Sequence, residues 1–260
     1  MPALYMMKTI IVVPTYNESG NIKDLIGSIR SEVSKTKIDI LIVDSASPDG
    51  TANIVRDLQK IDNTLHLIVQ KAKLGLGNAY LEGMHWALER DYDFLITMDA
   101  DLSHHPRYIN QLLTEIESCD LVVGSRYIRS GELKNWPFIR RLLSWFANWY
   151  ARTISGLPFC DLTSGFQCFK TSLLRKILQH PISTDGYAFL IELKFLAVVE
   201  QAECIEIPII FTNRTQGESK ISKRVIFESM CFVLKLAFER SRIHQTTSQS
   251  IRRQNIPSNE

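Results

Sequence analysis

The chain of 260 residues lacks the features that mark several classes of protein. Its apolar runs are shorter than the ~18 residues of a membrane-spanning helix. Lys8 interrupts the start, so we expect neither a transmembrane helix nor a signal peptide. Its five cysteines contain no CxxC pair, which argues against a zinc cluster and favours buried free thiols in a reducing compartment. With 30 basic and 28 acidic residues, the net charge of +2 excludes the overall positive field of a nucleic-acid-binding protein.

The composition that remains is that of an ordinary globular protein. Hydrophobic residues make up 45% of the chain and charged residues 22%, close to the average for soluble domains. The length suits one large domain or two small ones. Charge is uneven along the chain, because the segment 129–152 contains five basic residues and one acidic residue, a local charge of +4.

Apolar runs of strand length alternate with segments of helical periodicity. The runs are rich in Ile, Val and Leu without strict polar alternation, which favours strands buried on both faces of a sheet. The predicted strands are Thr9–Pro14, Ile38–Asp44, Leu65–Gln70, Phe94–Asp99, Leu121–Gly124 and Ile205–Phe211. The predicted helices are Ile22–Val33, Ala52–Ile61 with Thr51 as N-cap, Asn78–Arg90, and Pro106–Glu117 with Pro106 in its first turn. This order predicts an α/β sheet with right-handed crossovers.

From about Ser130 the alternation stops. Two amphipathic helices are predicted there, at about 138–155 and 221–240. We expect residues 1–240 to form one domain. The segment 241–260, rich in Gln, Ser, Thr and Arg, is predicted to be a disordered polar and basic tail.

Polar side chains cluster where the predicted strands end, which is where ligands bind in open α/β sheets. The main candidate is the pair Asp99 and Asp101. Two carboxylates one residue apart can share Mg²⁺ or Mn²⁺ with substrate phosphates, although alone this spacing is more often a solvated turn. His104 and His105 follow, and we expect them to orient Asp101 or to cap the next helix rather than to bind metal.

An ordered set of motifs strengthens the interpretation of Asp99 and Asp101 as metal ligands. The chain contains, in order, 14–18 (PTYNE), Asp44 with 47–51 (SPDGT), 73–77 (KLGLG), 99–106 (DADLSHHP), 124–127 (GSRY), 163–166 (TSGF) and 214–220 (RTQGESK). It resembles glycosyltransferase family 2 and, within it, the polyprenol-phosphate (dolichol-phosphate) mannosyltransferases. The resemblance covers roughly residues 8–240. It implies the GT-A fold, a Rossmann-like mixed sheet with flanking helices.

The resemblance also implies roles for individual residues. The nucleotide of a sugar donor would be held by Pro14, Tyr16, Glu18, Val43 and Asp44. The metal would be bound by Asp99 and Asp101, with backbone contacts from Ala100. Donor or acceptor phosphates would be contacted by Arg126, Arg214 and Lys220. One departure is Ser45, where many relatives have a second aspartate, and it leaves the choice between guanine and uracil donors open.

The implied reaction is inverting, metal-dependent transfer of mannose from GDP-mannose to a polyprenyl or dolichyl phosphate. Arg126, with Arg140 or Arg141, is a candidate to position the lipid phosphate; the alternative for Arg126 is a structural salt bridge. UDP-glucose as donor, a glycan as acceptor, and an inactive scaffold that binds a membrane partner are the competing interpretations.

Aromatic and basic residues are interleaved in the first C-terminal-half helix. Trp136, Trp145 and Trp149 lie among Arg140, Arg141 and Arg152. Trp and Arg together favour a helix in the plane of a bilayer interface, whereas for the second helix packing on the sheet is equally compatible. We expect peripheral association with the cytoplasmic face of a membrane, which leaves room for a separate membrane-anchoring subunit as a partner.

Overall fold

A computed structural model describes residues 7–33, 38–182, 184–213 and 229–237 of the chain. In the first half, strands and helices alternate as predicted, and every strand begins at the predicted residue. The elements are β1 (Thr9–Thr15), α1 (Ile22–Glu32), β2 (Ile38–Asp44), α2 (Thr51–Gln59), β3 (Leu65–Val69), α3 (Leu76–Leu88) and β4 (Phe94–Thr97). β2 also ends at the predicted residue, whereas the ends of β1, β3 and β4 differ from the prediction by one or two residues.

The second half departs further from the prediction. A 3-10 turn (Pro106–Tyr108) leads into α4 (Ile109–Glu115), β5 (Leu121–Ser125), β6 (Glu132–Lys134), α5 (Phe138–Ser155), β7 (Gln167–Lys170), α6 (Thr171–Ile177), α7 (Gly186–Val199), β8 (Cys204–Pro208) and β9 (Ile210–Thr212). The single predicted strand Ile205–Phe211 is wrong. It is divided at Ile209, whose N–H bonds the Ser125 carbonyl, and its two parts join different sheets.

The main sheet has seven strands in the order β3-β2-β1-β4-β7-β5-β8. Neighbouring strands are parallel except where β7 is involved, since β7 runs antiparallel to both β4 and β5. A second, two-stranded parallel sheet is formed by β6 and β9. The predicted mixed α/β fold class is therefore confirmed.

Helices cover both faces of the main sheet, which explains why its strands are apolar throughout. In β1, Ile10 and Val12 belong to the core shared with α3, α6 and α7. The alternate residues Ile11 and Val13 belong to the core shared with α1 and α4. A strand that contributes to two cores has no face that polar side chains can occupy.

Two helix starts test the predicted caps. Pro106 occupies the first turn of its 3-10 helix, as predicted. The N-cap of α2 is Gly50 rather than Thr51, which is the first helical residue. Gly50 has a φ of +87°, a left-handed conformation that glycine adopts without strain. The hydroxyl of Thr51 is used instead to bind Asp49 and the backbone N–H of Glu18.

The first of the two predicted C-terminal-half helices is confirmed at its predicted boundaries, since α5 spans Phe138–Ser155. Within the second, 221–240, residues 229–237 are helical. Its remaining residues and the predicted tail 241–260 lie outside the described part of the chain. No helix in the described ranges combines the length and the hydropathy that crossing a bilayer requires.

All five cysteines are free thiols. Cys119 and Cys168 are buried, Cys160 and Cys204 are half-buried, and Cys231 is exposed. The predicted burial therefore holds for two of the five. Burial raises the pKa of the Cys168 thiol above its ordinary value, which keeps that thiol protonated and unreactive.

Candidate active site at the carboxyl edge of the sheet

A cavity of about 390 Å³ opens at the carboxyl ends of β1 and β4. Its other wall is formed by the loop before α3 and the first turn of α7, including Lys73 and Tyr187. The cavity brings together residues that the sequence predicts to share a site: Pro14, Tyr16, Glu18, Asp99, Ala100, Asp101 and Arg126. These residues come from three separate strand ends, so only the fold places them together.

Asp99 and Asp101 lie at the floor of this cavity. Asp101 is 8% exposed, and its Oδ1 accepts a hydrogen bond of 3.1 Å from the Ser103 N–H. The Tyr80 hydroxyl lies 3.5 Å from Oδ1 of Asp99. Burial, and after it the negative charge of Asp99 and Asp101, raises the pKa of Tyr80 well above its ordinary value. The floor of the cavity is therefore negative and suits a cation.

His104 lies beside Asp99. Its Nδ1 accepts a hydrogen bond of 3.3 Å from the Asp99 backbone N–H. Burial lowers the pKa of His104 by more than the nearby carboxylates raise it. The ring is therefore neutral, carries its proton on Nε2 and holds the backbone of Asp99. The predicted capping role belongs to His105, whose Nδ1 accepts a hydrogen bond from the Arg107 N–H at the start of the 3-10 turn.

Val43 and Asp44, which the resemblance places at the nucleotide, do not line the cavity. Both are fully buried. Asp44 accepts hydrogen bonds from the hydroxyls of Thr15 (2.9 Å) and Ser47 (2.6 Å). Thr15 ends β1 and Ser47 lies in the loop after β2, so Asp44 joins two strand ends directly behind the cavity wall.

Ser45 does border the cavity. Its hydroxyl donates to Oε1 of Gln70 at 2.8 Å, and Nε2 of Gln70 donates to Glu82 at the same distance. The position at which the resemblance leads us to expect a carboxylate thus presents a neutral hydroxyl. That hydroxyl is held in place by an amide.

The loop before α3 closes the cavity from the opposite side. Nζ of Lys73 lies 3.9 Å from the centre of the Tyr16 ring, a cation–π contact. At the end of the loop, Oδ1 of Asp185 accepts a hydrogen bond of 2.6 Å from the Gly77 N–H. A Cβ added to Gly75 would come within 2.0 Å of Asp185, so this approach requires glycine. Asp185 therefore caps α3 from a position 108 residues away, a role that local sequence patterns do not predict.

Arg126 forms a two-pronged ion pair with Asp161 at the wall of the cavity. Its Nε and Nη2 each lie 2.7 Å from a carboxylate oxygen, and Nη2 also donates to the Thr163 hydroxyl at 2.7 Å. Burial opposes both charges, but Asp161 raises the pKa of Arg126, and Arg126 lowers the pKa of Asp161. The salt bridge considered for Arg126 is thus present, and Arg126 also lines the cavity. The sequence motifs do not include Asp161, although it stands two residues before the 163–166 motif.

Lys194 is a fully buried lysine in the largely apolar helix α7, which also contains the buried Glu192. Its Nζ donates hydrogen bonds to the carbonyls of Ser164 (2.9 Å) and Leu162 (3.2 Å). Burial lowers the pKa of Lys194 to about 7, although Asp161 and Glu206 raise it. The lysine therefore supports the loop before β7 from below.

Lys194 leads us to expect that the protein becomes more stable as pH rises from about 7 to about 9. Its folded pKa of about 7 lies below the ordinary value of 10.5, so in this window the unfolded chain binds more protons and stability increases with pH. Relative to Lys194→Met, the wild type should gain about 2 kcal/mol in its free energy of unfolding over these two pH units. Urea unfolding of both proteins at the two pH values measures this. A difference between them that does not change with pH would contradict the assignment.

A second cavity, also of about 390 Å³, lies between α5 and the segment that follows β5. It shares Arg126 with the first cavity. Its lining comprises Arg126, Tyr127, Gly131, Glu132, Leu133, Phe138, Arg141, Leu142 and Trp145. Of the two arginines considered as phosphate ligands beside Arg126, Arg141 lines this cavity. Arg140 instead lies over the Trp136 ring and donates to Asn213.

The outer side of α5 is apolar and exposed. Eight large side chains protrude there: Phe138, Ile139, Leu142, Leu143, Trp145, Phe146, Trp149 and Ile154. At 100° per residue they cover about half the circumference of the helix. The buried side is formed by Asn148, Ala151 and Ser155. A contiguous exposed apolar face of this kind marks a site of interaction with a membrane or a protein.

In the described part of the chain, no group of three or more His, Cys, Asp or Glu side chains could hold a metal ion. Asp99 and Asp101 offer two carboxylates, and Mg²⁺ sites often consist of one or two carboxylates with substrate phosphates and water. The donor set therefore fits a divalent cation that is bound together with a diphosphate. Arg214 and Lys220, the remaining predicted phosphate ligands, lie outside the described residues.

The chain is similar to known proteins both in sequence and in structure. The protein-family model described as "Glycosyl transferase family 2" matches residues 10–180. The chain is 37% identical over 229 residues to the undecaprenyl-phosphate mannosyltransferase of Micrococcus luteus, covering 88% of this chain and 93% of the relative. It is 38% identical over 225 residues to the polyprenol monophosphomannose synthase of Mycolicibacterium smegmatis, covering 86% and 84%.

Solved structures of glucosyl-3-phosphoglycerate synthase from Mycobacterium tuberculosis are also similar. The complex with Mn²⁺, UDP and phosphoglyceric acid has a TM-score of 0.64 at 17% identity, covering 90% of this chain and 80% of the other. The complex with Mg²⁺ and UDP has the same TM-score and identity, with coverage of 90% and 81%. At this level of identity the likeness shows a shared fold.

Proposed function

The chain belongs to glycosyltransferase family 2, and from that membership we propose that it transfers mannose from GDP-mannose to a polyprenyl phosphate at a membrane surface. The observation that carries the proposal is the position of Arg126 between two cavities. One cavity has a floor of carboxylates, and the other opens beneath the exposed apolar side of α5. The names of the two mannosyl-transferring relatives support the choice of sugar and lipid.

The first cavity is the proposed donor site. Pro14, Tyr16 and Glu18 would form the wall against the nucleotide. Asp99 and Asp101 would hold Mg²⁺ or Mn²⁺, which when bound supplies positive charge against the negative charge that develops on the leaving diphosphate.

Several of the chain's own residues would act on the phosphates. Lys73, held over Tyr16 at the cavity rim, would add a positive charge on the side opposite the two carboxylates. Arg214 and Lys220 are proposed as further phosphate ligands. The positive charge of these side chains would stabilise the negative charge that develops on the leaving diphosphate.

The second cavity is the proposed acceptor site. A phosphate monoester has a second pKa of about 6, so it is largely dianionic at pH 7 and is itself a nucleophile. Arg126 and Arg141 would orient it. One phosphate oxygen would attack the anomeric carbon of mannose while the bond to the diphosphate breaks. A single displacement of this kind inverts the anomeric carbon and requires no general base.

We propose that α5 lies in the interface of the membrane with its apolar half among the lipids. Arg140, Arg141 and Arg152 flank that half and would meet anionic headgroups, which favours the cytoplasmic face. In this position the second cavity lies next to the membrane surface, where a polyprenyl phosphate presents its headgroup.

A transfer assay tests the function. Purified protein is mixed with detergent-dispersed polyprenyl phosphate and labelled GDP-mannose, UDP-glucose or UDP-N-acetylglucosamine, with Mn²⁺ or with a chelator. Label that enters the organic phase from GDP-mannose, and only with metal, is the expected result. Transfer from UDP-glucose would instead identify UDP-glucose as the donor, a choice that the neutral side chain of Ser45 leaves open. Transfer only to a glycan would replace the acceptor, and metal-dependent nucleotide binding without any transfer would indicate a scaffold.

A further inference from the structure

The loop before β7, residues 160–164, is held in place by hydrogen bonds to side chains of other elements. Glu206 of β8 accepts hydrogen bonds from the backbone N–H groups of Cys160 (2.7 Å) and Asp161 (2.9 Å). Asn148 of α5 accepts a hydrogen bond of 2.9 Å from the Leu162 N–H and donates one to the Cys160 carbonyl. The buried lysine of α7 binds two further carbonyls from below. Three elements therefore fix one short loop.

This loop in turn fixes Arg126. The Asp161 carboxylate accepts hydrogen bonds from the backbone N–H of Arg126 (3.0 Å) and from two guanidinium nitrogens. Asp161 is fully buried and Arg126 is 8% exposed, so neither can turn toward solvent without breaking the pair. Any shift of the loop consequently moves the guanidinium that borders both cavities.

We infer that Asn148 is a positioning residue: by tying the loop to α5, it fixes the Arg126 guanidinium relative to the helix that forms the other wall of the second cavity. A carboxamide suits this task because it carries both a donor and an acceptor, as the neighbouring Cys160 carbonyl and Leu162 N–H require. Asn148 is 5% exposed and faces the protein, away from the apolar side of α5. The inference rests on the proposed function, in which Arg126 holds the acceptor phosphate.

A second tie joins the same two walls. The hydroxyls of Tyr127 and Ser144 lie 2.7 Å apart, linking the residue after Arg126 to α5. Loss of Asn148 alone should therefore loosen the second cavity without releasing α5. The effect should be larger on acceptor binding than on donor binding, because the carboxylates of the donor cavity follow β4 and the loop borders that cavity at its wall, with Thr163 and through Arg126.

A double-mutant cycle tests the inference. In the wild-type background, Asn148→Ala should raise KM for polyprenyl phosphate and lower kcat/KM about tenfold, with the dissociation constant for the nucleotide donor within twofold of the wild-type value. Asn148→Asp, which keeps the acceptor oxygen but turns an oxygen toward the Cys160 carbonyl, should behave similarly. In the Asp161→Asn background the same Asn148→Ala change should lower kcat/KM less than twofold, because Arg126 is already released.

Two controls separate positioning from stability. Ile29→Val in α1 removes a buried methyl group remote from both cavities and should lower the unfolding temperature without changing KM. If Asp161→Asn does not fold, Arg126→Lys serves as the background, since lysine cannot form the two-pronged pair. Equal losses of kcat/KM in both backgrounds, or an equal loss of donor affinity and acceptor affinity, would overturn the positioning role of Asn148. A wild type that transfers no sugar to any polyprenyl phosphate would overturn the proposed function, and this inference with it.

Discussion

Replacing Asp101 by alanine is expected to lower kcat for sugar transfer roughly 10³-fold while the protein stays folded. Asp101 is one of two carboxylates at the floor of the donor cavity and is 8% exposed. Without it, the divalent cation would keep a single carboxylate ligand, and the leaving diphosphate would lose its main source of opposite charge. Initial rates with saturating donor and acceptor measure kcat, and circular dichroism reports the fold.

The matched control is Asp57→Ala. Asp57 lies on α2, is highly exposed and pairs with Lys60 one helical turn away, so its removal should change neither kcat nor metal-dependent nucleotide binding. Nucleotide binding to Asp101→Ala should no longer respond to Mn²⁺. Full activity of Asp101→Ala with the fold intact would remove the carboxylate pair from the reaction.

The triple variant Ile139→Gln, Leu143→Gln and Phe146→Gln is expected to weaken binding to anionic vesicles roughly 100-fold or more. These side chains are 71%, 63% and 50% exposed on the apolar side of α5. Their transfer into lipid should contribute about 1 kcal/mol or more each, and about 1.4 kcal/mol corresponds to a tenfold change in affinity. None of the three lines either cavity. Flotation with vesicles of stated anionic content measures the binding.

Two comparisons make this result specific. Ile61→Gln changes an isoleucine that is 86% exposed far from α5, and it should leave vesicle binding unchanged. With a short, water-soluble isoprenyl phosphate as acceptor, the triple variant should keep kcat/KM within about twofold of the wild type. It should lose activity on long polyprenyl phosphate in vesicles. Undiminished vesicle binding would show that α5 serves another partner.

The first half of the sheet could be predicted nearly to the residue because its strands are buried on both faces. A strand between two cores must be apolar along its whole length, as Ile10 to Val13 are, and such a run has few alternative structures. The bounds of α5 could be predicted for a different reason. The helix begins after Pro137 and ends before Gly156, whose φ of +60° terminates it in the left-handed conformation.

The second half could not be predicted to the same extent. β7 is four residues long and has polar residues at both ends, Gln167 and Lys170, so its sequence lacks the pattern of the other strands. It is a strand because β4 and β5 leave a gap that it fills. Similarly, Asp161, Asp185 and Lys194 act through partners distant in sequence, and local patterns carry no information on such contacts.

The predicted site is intermediate between these cases. The strand-end residues Tyr16, Asp99 and Arg126 do meet at one cavity, as parallel strands with a common edge require. Val43 and Asp44 do not, because Val43 packs in the core shared with α3, α6 and α7, and Asp44 accepts hydrogen bonds from Thr15 and Ser47. The motifs therefore predict which residues lie near the cavity, whereas the fold decides which of their side chains line it.

The reversed direction of β7 has a consequence for how such enzymes diversify. Since Val123 of β5 lies opposite Gln167 of β7, the chain leaves the sheet after β5 and returns to it at the same edge. The segment between β5 and β7, which includes α5 and most of the lining of the second cavity, therefore connects two adjacent strands. Such a segment can change in length without rethreading the sheet, although its two ends, at Arg126 and Gly165, border the cavity that holds the carboxylates after β4. In the proposed function, the carboxylates that would act with the donor follow β4, while the proposed acceptor cavity is lined by a segment of its own between β5 and β7.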